Sequence, residues 1–225
     1  MGKGESKNAR KTNATIDTSN LMGVRSAARG TSLEVQLGSP SYGSNNTKQK
    51  GHEDYMKSYE ARQYIMRTTG LDEKEAEATR EAIDRWSGSA YTFIRAVQQG
   101  ENKSENFRVM GNRLERFIDR APKWDGKMTY RGIKMNASEL KKMKVGDTID
   151  MKGTSSWSST YRIAEGFSNQ KVVFASPTQK HGTSIRFHSG FDKENEVLVS
   201  KRSSYRIKRF SKMKNGTTVV WLDET

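Results

Sequence analysis

From residue 53 onward the apolar positions recur at helical spacing. Residues 53–67 carry Tyr55, Met56, Tyr59, Tyr64 and Ile65 among charges, and Gly70 ends the run. Residues 71–86 are rich in Ala, Glu and Arg, all strong helix formers. Ser87-Gly88-Ser89 interrupts. Ser89 is expected to cap a third helix over 90–99, which Gly100 closes. Ser104 is expected to cap a fourth, reaching about residue 119, in which Phe107, Met110, Leu114, Phe117 and Ile118 share a face.

After Pro122 the texture changes. Short β-branched and aromatic segments alternate with Gly, Ser and Asn. Strands are expected at 128–133, 148–150, 155–159, 171–175, 196–200, 204–209 and 217–222. Asn215-Gly216 predicts a hairpin turn between the last two, and 161–168 reads as a short helix. Helices first and strands after predict an α+β fold with a mixed or antiparallel sheet.

Residues 1–50 show no sustained period and are rich in Gly, Ser, Asn, Thr and Lys. Eight cations (Lys3, Lys7, Arg10, Lys11, Arg25, Arg29, Lys48, Lys50) against three acids (Glu5, Asp17, Glu34) leave +5. This predicts a basic, disordered N-terminal tail ahead of one domain over 51–225. A solvated leader without a specific role and an electrostatic or packaging arm are both open readings of it.

Charge widens the picture. The 225 residues carry a net +14 with a pI near 9.9. Such a balance favours a nucleic acid, an acidic protein surface, a phosphate-bearing ligand or anionic lipid, without choosing among them. A hydrophobic fraction of 32% and a mean hydropathy of −0.91 agree with a part that does not pack. The absence of cysteine excludes disulfides, a thiol nucleophile and cysteine metal sites. His52, His181 and His188 are not spaced as a metal pair, so no metal is expected. No run reaches the ~18 apolar residues of a membrane span, and the N-terminus lacks an apolar signal core. The expectation is a soluble monomer, not membrane-bound, carried elsewhere only with a phage particle or by a secretion system.

Three separated features carry chemistry: Tyr130-Arg131-Gly132, Ser158-Ser159-Thr160, and Glu194-Asn195-Glu196-Val197-Leu198. Singly, each has a plain reading. A strand arginine is commonly a surface residue, a hydroxyl run a turn or cap, and paired strand glutamates a solvated face. If extended, Glu194 and Glu196 share a face, a costly arrangement unless something nearby uses the charges.

In this order the three resemble the R-S-E signature of the arginine-specific ADP-ribosyltransferases, the group that includes binary-toxin enzymes and phage-type transferases. The likeness spans about residues 53–225. Ala82-Ile83, Trp86-Ser87-Gly88-Ser89-Ala90-Tyr91 and Ile94 are similar to the helix-turn-helix that precedes the core of that family. Gly182-Thr183-Ser184-Ile185 and Phe191 resemble the loop leading into its catalytic strand. Glu196-Val197-Leu198 and Tyr205-Arg206-Ile207 resemble the close of the domain. Departures are Ser158-Ser159-Thr160 for Ser-Thr-Ser, Trp86 for a tyrosine, and Ala96 near an asparagine; the last two read as packing positions.

The resemblance implies two mixed or antiparallel β-sheets packed as a sandwich behind N-terminal helices, with NAD⁺ as substrate and no metal. It implies that Glu196 is the catalytic carboxylate, next to a developing oxocarbenium-like ribose. Glu194 would position the acceptor guanidinium and take its proton, and Arg131 would bind the pyrophosphate or adjacent ribose. Ser158 would brace Glu196 or the ribose, Ser159 and Thr160 would shape the cleft floor, and the Gly132 backbone would hold the nicotinamide amide. Phe191 would meet the protein substrate, or else be a core residue. The implied partner is a host or target protein bearing an acceptor arginine, with nucleic acid or an acidic surface as a further contact for the basic tail. An NAD⁺ glycohydrolase on the same site, and a non-catalytic nucleic-acid-binding or virion protein, remain as alternatives. Lys201, Arg202, Arg206, Lys208, Arg209, Lys212 and Lys214 form a basic run without an acid, either a solvated face or a binding surface. His188 takes no catalytic role, and Trp157 reads as core rather than as a stacking platform.

Overall fold

The computed structural model describes residues 15–16, 46–125, 128–168, 171–186 and 195–225. His188, Phe191 and Glu194 lie outside the described residues, as does most of the segment 1–50. Within that segment, β1 (Thr15–Ile16) joins the sheet and α1 (Asn46–Thr69) has already begun, so the boundary expected at residue 50 falls inside a helix.

Four helices come first: α1, α2 (Glu73–Arg85), α3 (Tyr91–Gln98) and α4 (Glu105–Arg120). Gly70, at φ 68°, ends α1 in the left-handed conformation that glycine adopts without strain. Asp72 then caps α2, its carboxylate accepting the Glu75 N–H at 2.8 Å. The expected break at Ser87-Gly88-Ser89 is instead a π-helical turn, Trp86–Ala90, bent at Gly88. Ser89 therefore caps nothing. The residue before α3 is Ala90 with φ −78° and ψ −11°, whereas a cap needs extended backbone. Ser104 does stand extended ahead of α4, but makes no side-chain cap bond; its own N–H is held by Asn102.

The strand half runs β2 (Thr129–Ile133), α5 (Ala137–Lys142), β3 (Thr148–Asp150), β4 (Ser155–Ser158), α6 (Tyr161–Gly166), β5 (Val172–Ser176), β6 (Gly182–Ser184), β7 (Glu196–Val199), β8 (Ser204–Lys212) and β9 (Thr218–Glu224). Two elements escape the hydrophobic pattern. One turn and a half of α5 is too short for a period, although Asn136 and Glu139 form a reciprocal capping box at its start. The strand β6 has just three residues.

Where two separate sheets were expected, the described strands form one mixed ladder, β1-β3-β8-β9-β5-β2-β4-β7-β6. The pairs β1–β3 and β5–β9 are parallel and the rest antiparallel. The sandwich arises by folding this ladder over. Trp157 on β4 and Tyr205 on β8 have ring centroids 5.3 Å apart. Laid flat, three intervening strands would separate them by ~19 Å at the usual strand spacing. The fold line is weak in hydrogen bonds: β2 pairs with β5 along its whole length, but with β4 at one bridge, Tyr130–Ser158.

Inside the fold Ile133, Ile149, Trp157, Phe174, Val197, Tyr205 and Leu222 close an apolar core. A second core joins Ile83, Trp86, Ile94, Leu114 and Phe117 of the helical half to Leu198 of β7. Period-two alternation divides β7 between them, Val197 and Val199 facing one core and Leu198 the other. Among the described residues no helix is long and apolar enough to cross a membrane.

Candidate active site

A cleft opens beside the place where β2 and β4 part. Its walls come from β2 (Tyr130, Arg131, Gly132), β4 (Ser156, Trp157, Ser158), β7 (Glu196), the helical half (Trp86, Tyr91, Arg95) and α6 with the turn after it (Ile163, Ala164, Phe167). Arg131, Gly132, Ser158 and Glu196, remote in the chain, thus meet at one cavity.

The ladder sets their relation. Tyr130 pairs with Ser158, and Ser158 with Glu196, in one row across three strands. Residues in such a row share a face, so Ser158 and Glu196 project to the same side. The Glu196 carboxylate is almost wholly buried, at 2% exposure. The Trp86 indole Nε1–H reaches it, donating to Glu196 Oε1 at 3.2 Å and to Ser156 Oγ at 3.0 Å. Trp86 is therefore more than the packing residue expected. The signal was available: a buried indole needs an acceptor for its N–H. Ser156, two residues before Ser158, follows from the same alternation.

Asn195 departs from the sequence pattern. It has φ 46°, a left-handed conformation that asparagine tolerates better than most residues. The extended run is broken there, at the first described residue before Glu196. The Asn195 carbonyl accepts the Ser159 N–H, and its amide donates to Thr160 Oγ1, each at 3.2 Å. Ser158 Oγ accepts the Thr160 N–H at 3.0 Å. Ser159 and Thr160 stand at this turn, beside the lining of the cleft, and direct the chain from β4 into α6.

Arg131 spans the gap at the fold line, its Nη1 donating to the Ser156 carbonyl at 2.6 Å. Gly132 has a steric reason. A Cβ there would lie 2.0 Å from the Ala164 carbonyl oxygen, so α6 approaches β2 only because the side chain is missing.

Arg95 lies in the lining and is 5% exposed. Its Nη1 donates to the carbonyls of Gly153 at 3.2 Å and Thr154 at 2.6 Å. Burial holds its pKa down to about 10, which leaves it charged at neutral pH. Ala96, noted as a departure from the family, spends its carbonyl on the N–H groups of Glu101 and Asn102 instead. Beneath Arg95 a buried network fixes the strand entry. Gln98 holds both the N–H and the hydroxyl of Thr154; Glu115 accepts from Thr154 Oγ1, Ser200 Oγ and the Lys201 N–H.

Trp157 serves both the core and the cleft wall. In the basic run, Arg202 pairs with Asp119, Lys208 with Asp223 at 3.1 Å, and Arg209 lies 4.1 Å over the Trp221 ring.

No protein-family model matches the sequence, and no curated protein sequence does. Solved structures do. The Vis toxin of Vibrio splendidus, an ADP-ribosyltransferase, superposes with a TM-score of 0.58 at 21% identity, over 83% of this chain and 88% of its own. Exoenzyme S of Pseudomonas aeruginosa, solved with human 14-3-3 protein beta and bound to carba-NAD, gives 0.58 at 17% identity, over 77% and 89%. The ADP-ribosyltransferase HopU1 of Pseudomonas syringae gives 0.55 at 17%, over 67% and 77%. At these identities the likeness establishes architecture, and the architecture of this chain is the ADP-ribosyltransferase fold.

Proposed function

We propose that the chain transfers ADP-ribose from NAD⁺ to arginine side chains of target proteins, releasing nicotinamide. The observation that carries this reading is the meeting of Arg131, Ser158 and Glu196 at one cleft, with Glu196 buried and held by the Trp86 indole.

In this reading the bond between ribose C1′ and the nicotinamide nitrogen breaks, and its electron pair leaves with nicotinamide. Positive charge develops on the ribose, which the Glu196 carboxylate stabilises from a low-dielectric pocket. Trp86 holds one carboxylate oxygen at a fixed place, so little reorganisation is needed as charge appears. A guanidinium nitrogen then bonds to C1′ and loses a proton. Glu194 is proposed as the acceptor of that proton, and Phe191 as a contact for the target protein. Arg131 is proposed to hold the diphosphate, and the Gly132 backbone the nicotinamide amide. Arginine is favoured as acceptor because the residue two before the catalytic carboxylate is a glutamate. A Vis structure was solved with agmatine, whose guanidino group is that of an arginine side chain.

The test is incubation of wild type and Glu196→Gln with labelled NAD⁺ and a cell lysate. Protein bands labelled by the wild type alone, and released by hydroxylamine as arginine linkages are, support the reading. Label that persists in the variant overturns it. Glu194→Gln separates transfer from hydrolysis: loss of protein labelling with retained nicotinamide release marks Glu194 as the acceptor's base.

A further inference from the structure

Arg95 is a buried charge that the roles given so far leave unexplained. A guanidinium taken out of water is costly unless a counter-charge meets it. Its Nη1 donates to two backbone carbonyls, which carry only partial charge. Among the described residues no carboxylate is ion-paired with it: Glu101 acts on it from farther off, and its side-chain hydrogen bonds are the two to Gly153 and Thr154. Arg95 nonetheless stands in the wall of the cleft, beside Arg131 in the same lining. The guanidinium is held in place from behind. Gly153 and Thr154 anchor it, and Gln98 and Glu115 in turn anchor Thr154. A fixed, largely dehydrated cation in the wall of a cavity is a preorganised anion site.

We infer that Arg95 is an anion-binding residue of the cleft and takes a phosphate oxygen of the dinucleotide, sharing the diphosphate with Arg131. This rests on the reading of the cleft as an NAD⁺ site. The chemistry selects the ligand end: the nicotinamide–ribose end is cationic and belongs near Glu196, whereas the diphosphate is the part with charge to match two arginines. Gly153 is part of the arrangement. A Cβ there would lie 3.2 Å from the Gln98 side chain and 3.6 Å from Arg95 Cγ, so the bare backbone lets α3 press its arginine against the carbonyls.

The experiment is calorimetric titration of the full chain with ADP-ribose, alongside steady-state NAD⁺ turnover, for wild type, Arg95→Gln, Arg95→Lys and Glu196→Gln. Removing a charge-assisted hydrogen bond in Arg95→Gln is expected to weaken ADP-ribose binding about tenfold or more. KM for NAD⁺ rises by a similar factor, with kcat changed far less. Arg95→Lys restores most of the affinity. Nicotinamide, which has no phosphate, inhibits all the Arg95 variants alike. Wild-type ADP-ribose affinity in Arg95→Gln overturns the inference. So does an Arg95→Lys as poor as Arg95→Gln with nicotinamide weakened in step, because that pattern marks a residue that merely props the wall. Glu196→Gln separates the two levels: it is expected to bind ADP-ribose while losing turnover. A wild type that binds no ADP-ribose removes the NAD⁺ reading and this inference together.

Discussion

The two faces of the β4–β7 pair are one residue apart in sequence and opposite in physics. On one face Trp157, Val197 and Val199 are sealed in an apolar core; on the other Ser156, Ser158 and Glu196 border a cleft. The same hydrogen bonds run through both, since Trp157 pairs with Val197 and Ser158 with Glu196. Rigidity from the dry face is thereby delivered to the wet one. A buried carboxylate is costly, and its position survives because the alternate residues of its own strand cannot move. Substitutions on the two faces should therefore fail in different ways.

The largest contrast is between Glu196→Gln and Trp157→Ala. Glu196→Gln is expected to lower NAD⁺ turnover by about a thousandfold, while the thermal midpoint stays within a few degrees. Trp157→Ala empties a core site and should cost about 3–5 kcal/mol in denaturant unfolding. Stability lost in the first, or kept in the second, would erase the distinction. Next comes Trp86→Phe, which keeps an aromatic ring and deletes the N–H. It should lower kcat about tenfold with KM for NAD⁺ changed less than twofold, measured by nicotinamide release.

The smallest effect lies away from the cleft. Glu165 on α6 accepts from Asn215 Nδ2 at 2.6 Å, Tyr161 OH at 2.9 Å and Thr217 Oγ1 at 3.0 Å, clasping the β8–β9 turn to the helix. The Asn215 bond, then the Tyr161 bond, hold its carboxyl below the ordinary 4.5. The sign follows. A carboxylate with a depressed folded pKa stabilises above its unfolded value, and that contribution fades as pH falls through the folded one. After solvent screening it amounts to a few tenths of a kcal/mol. Wild type and Glu165→Gln should thus differ slightly in urea midpoint at pH 7 and converge in acid.

Much of this was legible in the chain. The four leading helices follow from apolar spacing, helix-forming composition and their Ser and Gly boundaries, and most strands from β-branched runs between turn residues. The meeting of Arg131, Ser158 and Glu196 at one cleft was legible only through the family resemblance, since each motif alone had a plainer reading. What escaped is tertiary or very short. Ser89 looks like a cap, but local sequence does not reveal that the chain stays helical through Trp86–Ala90. The left-handed Asn195 breaks the extended run just ahead of Glu196, which the strand pattern does not announce. Arg95 reads as one more helix cation, because nothing local shows that it will be buried without a carboxylate. Trp86 reads as packing until its N–H is followed to an acceptor seventy residues away, Ser156, and beyond it to Glu196.

The lone Tyr130–Ser158 bridge leaves β2 and β4 sharing little backbone hydrogen bonding at the wall of the cleft. Whatever molecule occupies the cleft adds contacts to both strands and holds them together. Saturation should then toughen the whole chain, by about 2.7 kcal/mol at a hundredfold excess over Kd, and product departure should slacken it again. Melting curves recorded against increasing ADP-ribose would trace that tightening.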